Sequence, residues 1–374
     1  MDLSKIRTEI DSVDKEIISL FSKRMVLAEE VAKFKFDTGK PILDRERELV
    51  KINNAKDMVS GVLEKEAVAD LFRQMMASSR KLQYKYMEGH DNTARESYEK
   101  IDELNLDKKV VYQGVPGAYS FLAMKQFFGE NVDCINVKTF GQVFDAVENG
   151  DAYYGIIPIE NSTAGMVNDT YDLLIKHNVF IVGEVFYKVE HALLGLENAT
   201  IDDIKVVYSH AQGLMQCSDY LDNHMDWQRI GQANTALSAK KVLEDNDITQ
   251  AAIASKDAAK YFSLKVLEPC IINQKNNITR FVIISKDRRF IKNADKMSIC
   301  FETAHETGSL YNILSHIIYN GLNMTKIESR PIEGKVWQWR FYVDFDGNMD
   351  DVAVKNAMRG IEEESKYLKF LGNY

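Results

Sequence analysis

Arg24 occupies a slot where an apolar residue belongs. Leu3, Ile6, Ile10, Val13, Ile17, Leu20, Leu27, Val31 and Phe34 recur at three-four spacing, and Arg24 fills the gap between Leu20 and Leu27. That period marks the face a long amphipathic helix buries. Lys35 follows eleven residues later, about three turns on, so both cations point to nearly the same side. A guanidinium and an ammonium on one seam suit an anionic ligand. Arg7 lies seventeen residues before Arg24, roughly 25 Å away along a helix and about a quarter-turn off that face. One helix cannot bring Arg7 and Arg24 to one small ligand, but a two-fold dimer of intertwined helices can, with Arg7 arriving from the other chain. Further on, Phe72, Met76, Ser79 and Gln83 share a stripe in which a hydroxyl and an amide replace apolar residues, while Arg45 and Glu46 open the preceding helix. Two readings stand on spacing alone: a ligand site, or a helical dimerisation domain with snorkelling arginines.

A second group of polar residues sits at strand ends. GVPGAYS follows the strand KVVYQ and opens a helix, so its backbone N–H groups can face an anion. GIIPIENSTAG ends an apolar strand with Glu160, Asn161, Ser162 and Thr163, and SHAQGLMQC, with Ser209, Gln212 and Gln216, follows KVVY. Thr279 and Arg280 precede the apolar run FVII. Each stretch by itself reads equally as an ordinary polar turn or strand start. Together they line the carboxyl ends of strands, where open α/β sheets bind ligands. No GxGxxG occurs, which disfavours a nicotinamide-linked dehydrogenase.

The elements that must position these residues form three blocks. Residues 1–88 read as three helices, the first from about Leu3 to Phe36, the second from an N-cap at Asp44, the third from about Leu63 to Tyr86. Residues 89–108 are polar and aperiodic and read as a linker. Residues 109–287 alternate short β-rich runs with helical segments, which implies α/β layers around a largely parallel sheet. Residues 296–374 read βαββαβ, the ferredoxin-like split unit. No internal repeat is visible.

The 374 residues carry a formal net charge of -9 and 28% charged residues, an ordinary globular composition that argues against a nucleic-acid binder. The charged N-terminus and the lack of a long apolar run predict a cytoplasmic protein with no membrane span. Cys134, Cys217, Cys270 and Cys300 stand without CxxC or His-rich spacing, so reduced thiols are expected and no metal site.

Three families are resembled in order. IRTEIDSVDKEIISLFSKRMVLAEEVAKFK, KPILDRERE and LFRQMMASSRKLQ resemble the all-helical chorismate mutases. That resemblance implies a chorismate site of Arg7 from the partner subunit, Arg24, Lys35, Arg45, Glu46, Ser79 and Gln83. Lys35 and Gln83 would aim donors at the breaking ether bond and Glu46 would accept the ring hydroxyl. The loop KPILDRER is about two residues short of some members, which leaves Asp44 open between a substrate contact and a helix cap. GVPGAYS, IPIENSTAGMVNDTYDLL, YSHAQGLMQC and NITRF resemble the successive signatures of prephenate dehydratases. This implies two subdomains of the periplasmic-binding-protein type around a cleft. There Thr279 would relay a proton or orient a water, with Glu160 one candidate source of the proton, and Asn161, Ser209, Gln212, Gln216 and Arg280 would contact prephenate.

TGSLYNIL and KIESRPI resemble the phenylalanine-binding elements of the ACT domains in that family, which points to Gly308, Ser309, Leu310, Glu328, Ser329, Arg330 and Pro331. GSLY departs from the commoner GALV, with Gly308 and Leu310 kept. The whole implies a bifunctional chorismate mutase–prephenate dehydratase family member that needs no cofactor, is feedback-inhibited by L-phenylalanine and assembles as a homodimer or homotetramer. Two rivals make different demands. A non-catalytic amino-acid sensor needs neither Thr279 nor the set Arg24, Lys35 and Gln83, and a mutase–dehydrogenase needs the missing nucleotide fingerprint.

Overall fold

A computed structural model describes residues 2–90 and 98–374. The chain divides into two compact units. One holds the N-terminal helices together with Asp295–Phe370, and the other holds Tyr98–Ala294 with Leu371–Tyr374.

In the first unit, α1 (Leu3–Thr38) starts at Asp2, whose side chain accepts from the Ser4 N–H, and stops at Gly39 in the left-handed conformation, φ 65°. The helix α2 (Arg45–Asp57) is capped by Asp44, whose Oδ1 accepts from the Arg47 N–H at 3.1 Å. Asp44 thus acts as a helix cap in the single chain. The helix α3 (Val62–His90) packs on both others, with Ile52, Ala69 and Met76 buried against Phe72. Among the described residues the apolar stripe of α1 is left largely uncovered: Ile10, Val13, Ile17, Leu20, Leu27 and Phe34 are each more than half exposed. The C-terminal part of this unit runs Lys296–Glu302, helix Ser309–Tyr319, Met324–Pro331, Trp339–Asp346, helix Val352–Glu364 and Tyr367–Asn373. Its strands lie in the spatial order second-third-first-fourth, the βαββαβ pattern expected from the sequence.

The second unit has two lobes, each with a five-stranded sheet. The first sheet orders Phe180–Lys188, Ile278–Ser285, Tyr154–Asn161, Val110–Gln113 and Cys134–Val137; the second orders Lys265–Glu268, His191–Gly195, Gln250–Ser255, Val206–Ser209 and Gln228–Gly231. Three strands in each sheet are mutually parallel, the fourth pairs antiparallel with them, and the edge strand, antiparallel to the fourth, again runs with the three. Each sheet is therefore largely parallel, as expected, with one antiparallel strand inserted beside the edge. The chain crosses between lobes twice, at 188–191 and 268–278, and the strands beside these crossings supply the antiparallel partners. The lobes thus share a strand pattern, although their sequences show no repeat.

The stretch 89–108, read as a linker, holds the end of one element and the whole of another. The helix α3 runs to His90, and Glu99–Ile101 forms a strand paired in parallel with Arg289–Ile291. Residues 91–97 of that stretch lie outside the described residues.

Candidate active sites

In the helical bundle, the Arg24 guanidinium donates to the Met75 carbonyl at 2.8 Å and to the Ser79 hydroxyl. Ser79 and Gln83 are one turn apart on α3 and both buried, and Gln83 Oε1 has no protein partner among the described residues. A buried amide with one end unmet marks a place where a ligand group belongs. The Lys35 ammonium donates to the Ile42 carbonyl. Burial pushes Lys35 below its ordinary range, opposed by the Asp44, Glu48 and Glu363 carboxylates. Burial likewise lowers Arg24, opposed by Glu48. Arg24, Lys35, Ser79 and Gln83 therefore have the burial and polarity their assigned roles require.

Other expected residues are placed differently. Arg7, Arg45 and Glu46 are exposed in the single chain. Arg45 donates to the Glu363 and Glu364 carbonyls at 3.0 and 3.2 Å. The carboxylate whose field reaches both Arg24 and Lys35 is that of Glu48, which also takes two bonds from the buried Arg80 at 2.5 and 2.6 Å. Arg80 in turn meets Glu364 at 3.0 Å. Neither Glu48 nor Arg80 was identified from the sequence, although each sits beside a residue that was.

Between the lobes of the second unit lies a cavity of 470 Å³. Asn161 and Thr279 face each other in the cross-strand register and both line it. Asn161 Oδ1 accepts from the N–H groups of Thr163 and Ala164, both at 3.0 Å, and from the Thr163 hydroxyl at 2.7 Å. Three donors on one oxygen fix the amide orientation. Its nitrogen therefore donates to Thr279 Oγ1 at 2.8 Å and to Asn277 Oδ1 at 2.6 Å. Thr279 accepts this bond, and its own proton is left to point elsewhere.

The helix Tyr119–Phe128 begins at Ala118 with no side-chain cap, and Ala118, Tyr119 and Ser120 line the cavity. Its first-turn N–H groups are thus available to an anion, as GVPGAYS suggested. The turn is held by Gly117 at φ 85°, where an added Cβ would come within 3.0 Å of the Ala258 backbone, and Ser255 donates to the Gly117 carbonyl. Gln212 and Gln216 also line the cavity.

Three expected residues face elsewhere. Side chains alternate along a strand, so Glu160 and Arg280, register partners one step from Asn161 and Thr279, fall on the opposite face. Arg280 is buried there between Glu184 at 2.7 Å, the Tyr374 hydroxyl at 2.8 Å and Glu160 at 3.6 Å. It holds the sheet together and lies outside the cavity lining, and Glu160 faces it, away from Thr279. Ser209 is wholly buried and donates to the Ile253 carbonyl beneath Gly213. Tyr119 and His191, which the sequence reading missed, do line the cavity. Tyr119 falls within GVPGAYS but was not singled out there, and no motif or spacing announces His191.

The prephenate dehydratase family profile matches residues 110–289 and the chorismate mutase type II profile residues 6–84. A bifunctional chorismate mutase/prephenate dehydratase from Buchnera aphidicola subsp. Schizaphis graminum is 32% identical, covering 100% of this chain and 96% of that protein. The chain belongs to the bifunctional chorismate mutase/prephenate dehydratase family. Another such relative, from Aquifex aeolicus, is 32% identical over 100% of this chain and 98% of its own. Among solved structures, the prephenate dehydratase from Arthrobacter aurescens in complex with L-Phe is 27% identical, with TM-score 0.66 over 71% of this chain and 89% of that one. A structure described as a novel type of quorum-quenching acylase is 30% identical, with TM-score 0.65 over 71% of this chain and 96% of that one. The chorismate mutase of this chain is the helical bundle, its prephenate dehydratase is the two-lobed unit, and both activities serve phenylalanine biosynthesis.

The dehydratase cleft contributes a pH dependence. Burial pushes His191 down to about 4, opposed by its hydrogen bond with Gln216. Between pH 6.5 and 4 the unfolded chain binds a proton here that the folded chain refuses, so stability is full above pH 6.5 and falls as the pH drops. The whole shift corresponds to on the order of 3 kcal/mol, of which roughly 2 is lost by pH 5. Urea unfolding of the second unit at pH 7 and pH 5 is expected to show this loss, reduced in His191→Gln. Equal pH sensitivity in the two proteins would rule it out.

Proposed function

We propose that the chain rearranges chorismate to prephenate at Arg24, Lys35, Ser79 and Gln83, and converts prephenate to phenylpyruvate at Thr279, under feedback by L-phenylalanine. The observation that carries the dehydratase reading is the Asn161–Thr279 pair. With one of its two lone pairs occupied by Asn161, the Thr279 hydroxyl has its proton free to donate toward the cavity. In the reaction the ring C–O bond breaks and the departing hydroxyl takes a proton to leave as water. The ring carboxylate leaves as carbon dioxide, its bonding electrons completing the aromatic ring. A hydroxyl is a poor acid, so Thr279 hands over its proton only as it receives one from solvent. The uncapped helix start, Gln212 and Gln216 hold the two carboxylates.

In the mutase, no nucleophile is required. Arg24 clamps a carboxylate, and Lys35 and Gln83 stabilise the charge developing on the ether oxygen. Lys35→Ala is expected to lower mutase turnover by about a hundredfold or more and leave prephenate turnover intact. Thr279→Ala should do the reverse. Retention of both activities by both variants, assayed separately, would overturn the assignments.

The exposed stripe on α1 supports an intertwined homodimer in which Arg7 of the partner completes the mutase site; a homotetramer pairs two such dimers. Ile17→Asp is expected to give a monomer by sedimentation and to lose mutase but not dehydratase turnover. A fully active monomer would remove the need for the partner's Arg7.

The C-terminal βαββαβ unit is read as a ferredoxin-like ACT domain. Gly308, in the left-handed conformation at φ 83°, starts the helix that carries Ser309 and Leu310, and Glu328, Ser329, Arg330 and Pro331 end the neighbouring strand. In this reading Leu310 meets the phenylalanine ring while Ser329 and Arg330 meet its polar groups. Leu310→Ala should raise at least tenfold the phenylalanine concentration that halves dehydratase turnover, without changing turnover in its absence. An unchanged inhibition curve would place the effector elsewhere. No described helix is long and apolar enough to cross a membrane, which accords with a cytoplasmic enzyme.

A further inference from the structure

Five hydrogen-bonding contacts run from Tyr119 to Thr279. The Tyr119 hydroxyl lies 3.0 Å from His191 Nδ1, His191 Nε2 lies 3.1 Å from Gln216 Oε1, and Gln216 Nε2 lies 3.0 Å from Thr163 Oγ1. Thr163 Oγ1 then meets Asn161 Oδ1 at 2.7 Å, and Asn161 meets Thr279. The direction of each bond follows by elimination. Asn161 Oδ1 can only accept, so the Thr163 proton is committed to it. Thr163 Oγ1 can then only accept from Gln216, which requires the amide nitrogen there and the amide oxygen toward His191. His191 Nε2 must therefore carry a hydrogen. The opposite amide orientation would set two oxygens face to face or break the 2.7 Å bond.

In neutral His191 the other ring nitrogen is bare, and the Tyr119 hydroxyl, which donates to the Glu190 carbonyl at 2.8 Å, shares its one proton with that nitrogen at 3.0 Å. Tyr119 stays a phenol, because burial raises it well above its ordinary value. We propose that His191, oriented by Tyr119, is a positioning residue of the prephenate dehydratase: it fixes the Gln216 amide with its N–H groups toward Thr163 and the cleft, so that this end of the cleft presents donors to an anionic substrate. Gln216 is thereby a directed donor held at both ends. The cleft lining contains no Lys or Arg among the described residues, so the direction of its neutral donors sets how a bound dicarboxylate is aligned with Thr279, which is felt in kcat more than in KM. The inference rests on the reading of Thr279 as the hydroxyl that protonates the leaving group, since the ordered chain ends there.

The test is steady-state dehydratase kinetics on the full chain, with the mutase rate of the same preparation measured alongside. His191→Leu fills the space but gives Gln216 no donor. It is expected to lower kcat for prephenate at least tenfold while KM rises less than threefold, and to leave mutase turnover unchanged. His191→Gln, which restores an N–H near Nε2, should recover kcat to within fivefold of the parent. In a Thr279→Ala background, His191→Leu should cost less than twofold more, because both changes break one ordered set. Should His191→Leu fail to fold, Tyr119→Phe carries the test, with a threefold or greater fall in kcat at constant KM. Parental kcat in the folded variant, no recovery by His191→Gln, or fully multiplicative losses with Thr279→Ala would overturn the proposal. Parental turnover in Thr279→Ala alone would instead overturn the reading of Thr279.

Discussion

The dehydratase depends on one antiparallel register. Tyr154–Asn161 and Ile278–Ser285 pair so that Thr279 opposes Asn161 and Arg280 opposes Glu160. Because side chains alternate, this pairing sends the neutral pair into the cleft and the charged pair to the other face. A one-residue slip would exchange them, burying a guanidinium among substrate groups and removing the hydroxyl from reach. The flanking strand Phe180–Lys188 supplies Glu184 to Arg280, so the ion pairs behind the sheet also secure the register. Their desolvation is compensated locally by several partners, the condition under which a buried arginine is tolerated.

The mutase solves a different problem with similar means. A seam between α1 and α3 has to admit cations without losing the packing of Ile52, Ala69 and Met76. Arg24 does so by leaning on the Met75 carbonyl and Ser79, both on α3. Glu48 spreads its field over Arg24, Lys35 and Arg80. Together with Asp44 and Glu363 beside Lys35 and Glu364 beside Arg80, this carboxylate opposes the burial that disfavours the charged forms. Arg80 and Glu364 extend this network into the C-terminal helix Val352–Glu364 of the same unit.

Periodicity made the helices α1–α3 and the βαββαβ order legible because each is set by local pattern. Spacing also placed Arg24 and Lys35 on one face, and the structure keeps both partly buried. Motif adjacency served less well for Ser209, Glu160 and Arg280. A motif names consecutive residues, whereas the pleat and the tight turn decide which of them meets the cleft. The pairing of Tyr119, which lies inside GVPGAYS, with His191 was invisible for another reason, the two being 72 residues apart in sequence and brought together by the fold. The one antiparallel strand in each sheet escaped as well, since an apolar strand reads the same in either direction.

The cleft's lining has a consequence for encounter. A protein of net charge -9 whose described cleft residues include no Lys or Arg offers a dianion no long-range attraction. Steering of the kind that accelerates capture of charged ligands is absent, and the repulsion is confined by salt to about 8 Å at physiological ionic strength. Association should therefore quicken modestly as salt is added, the reverse of an enzyme with a basic funnel. Recognition begins only once the carboxylates reach hydrogen-bonding range, so prephenate is selected by fit at contact and not gathered from a distance.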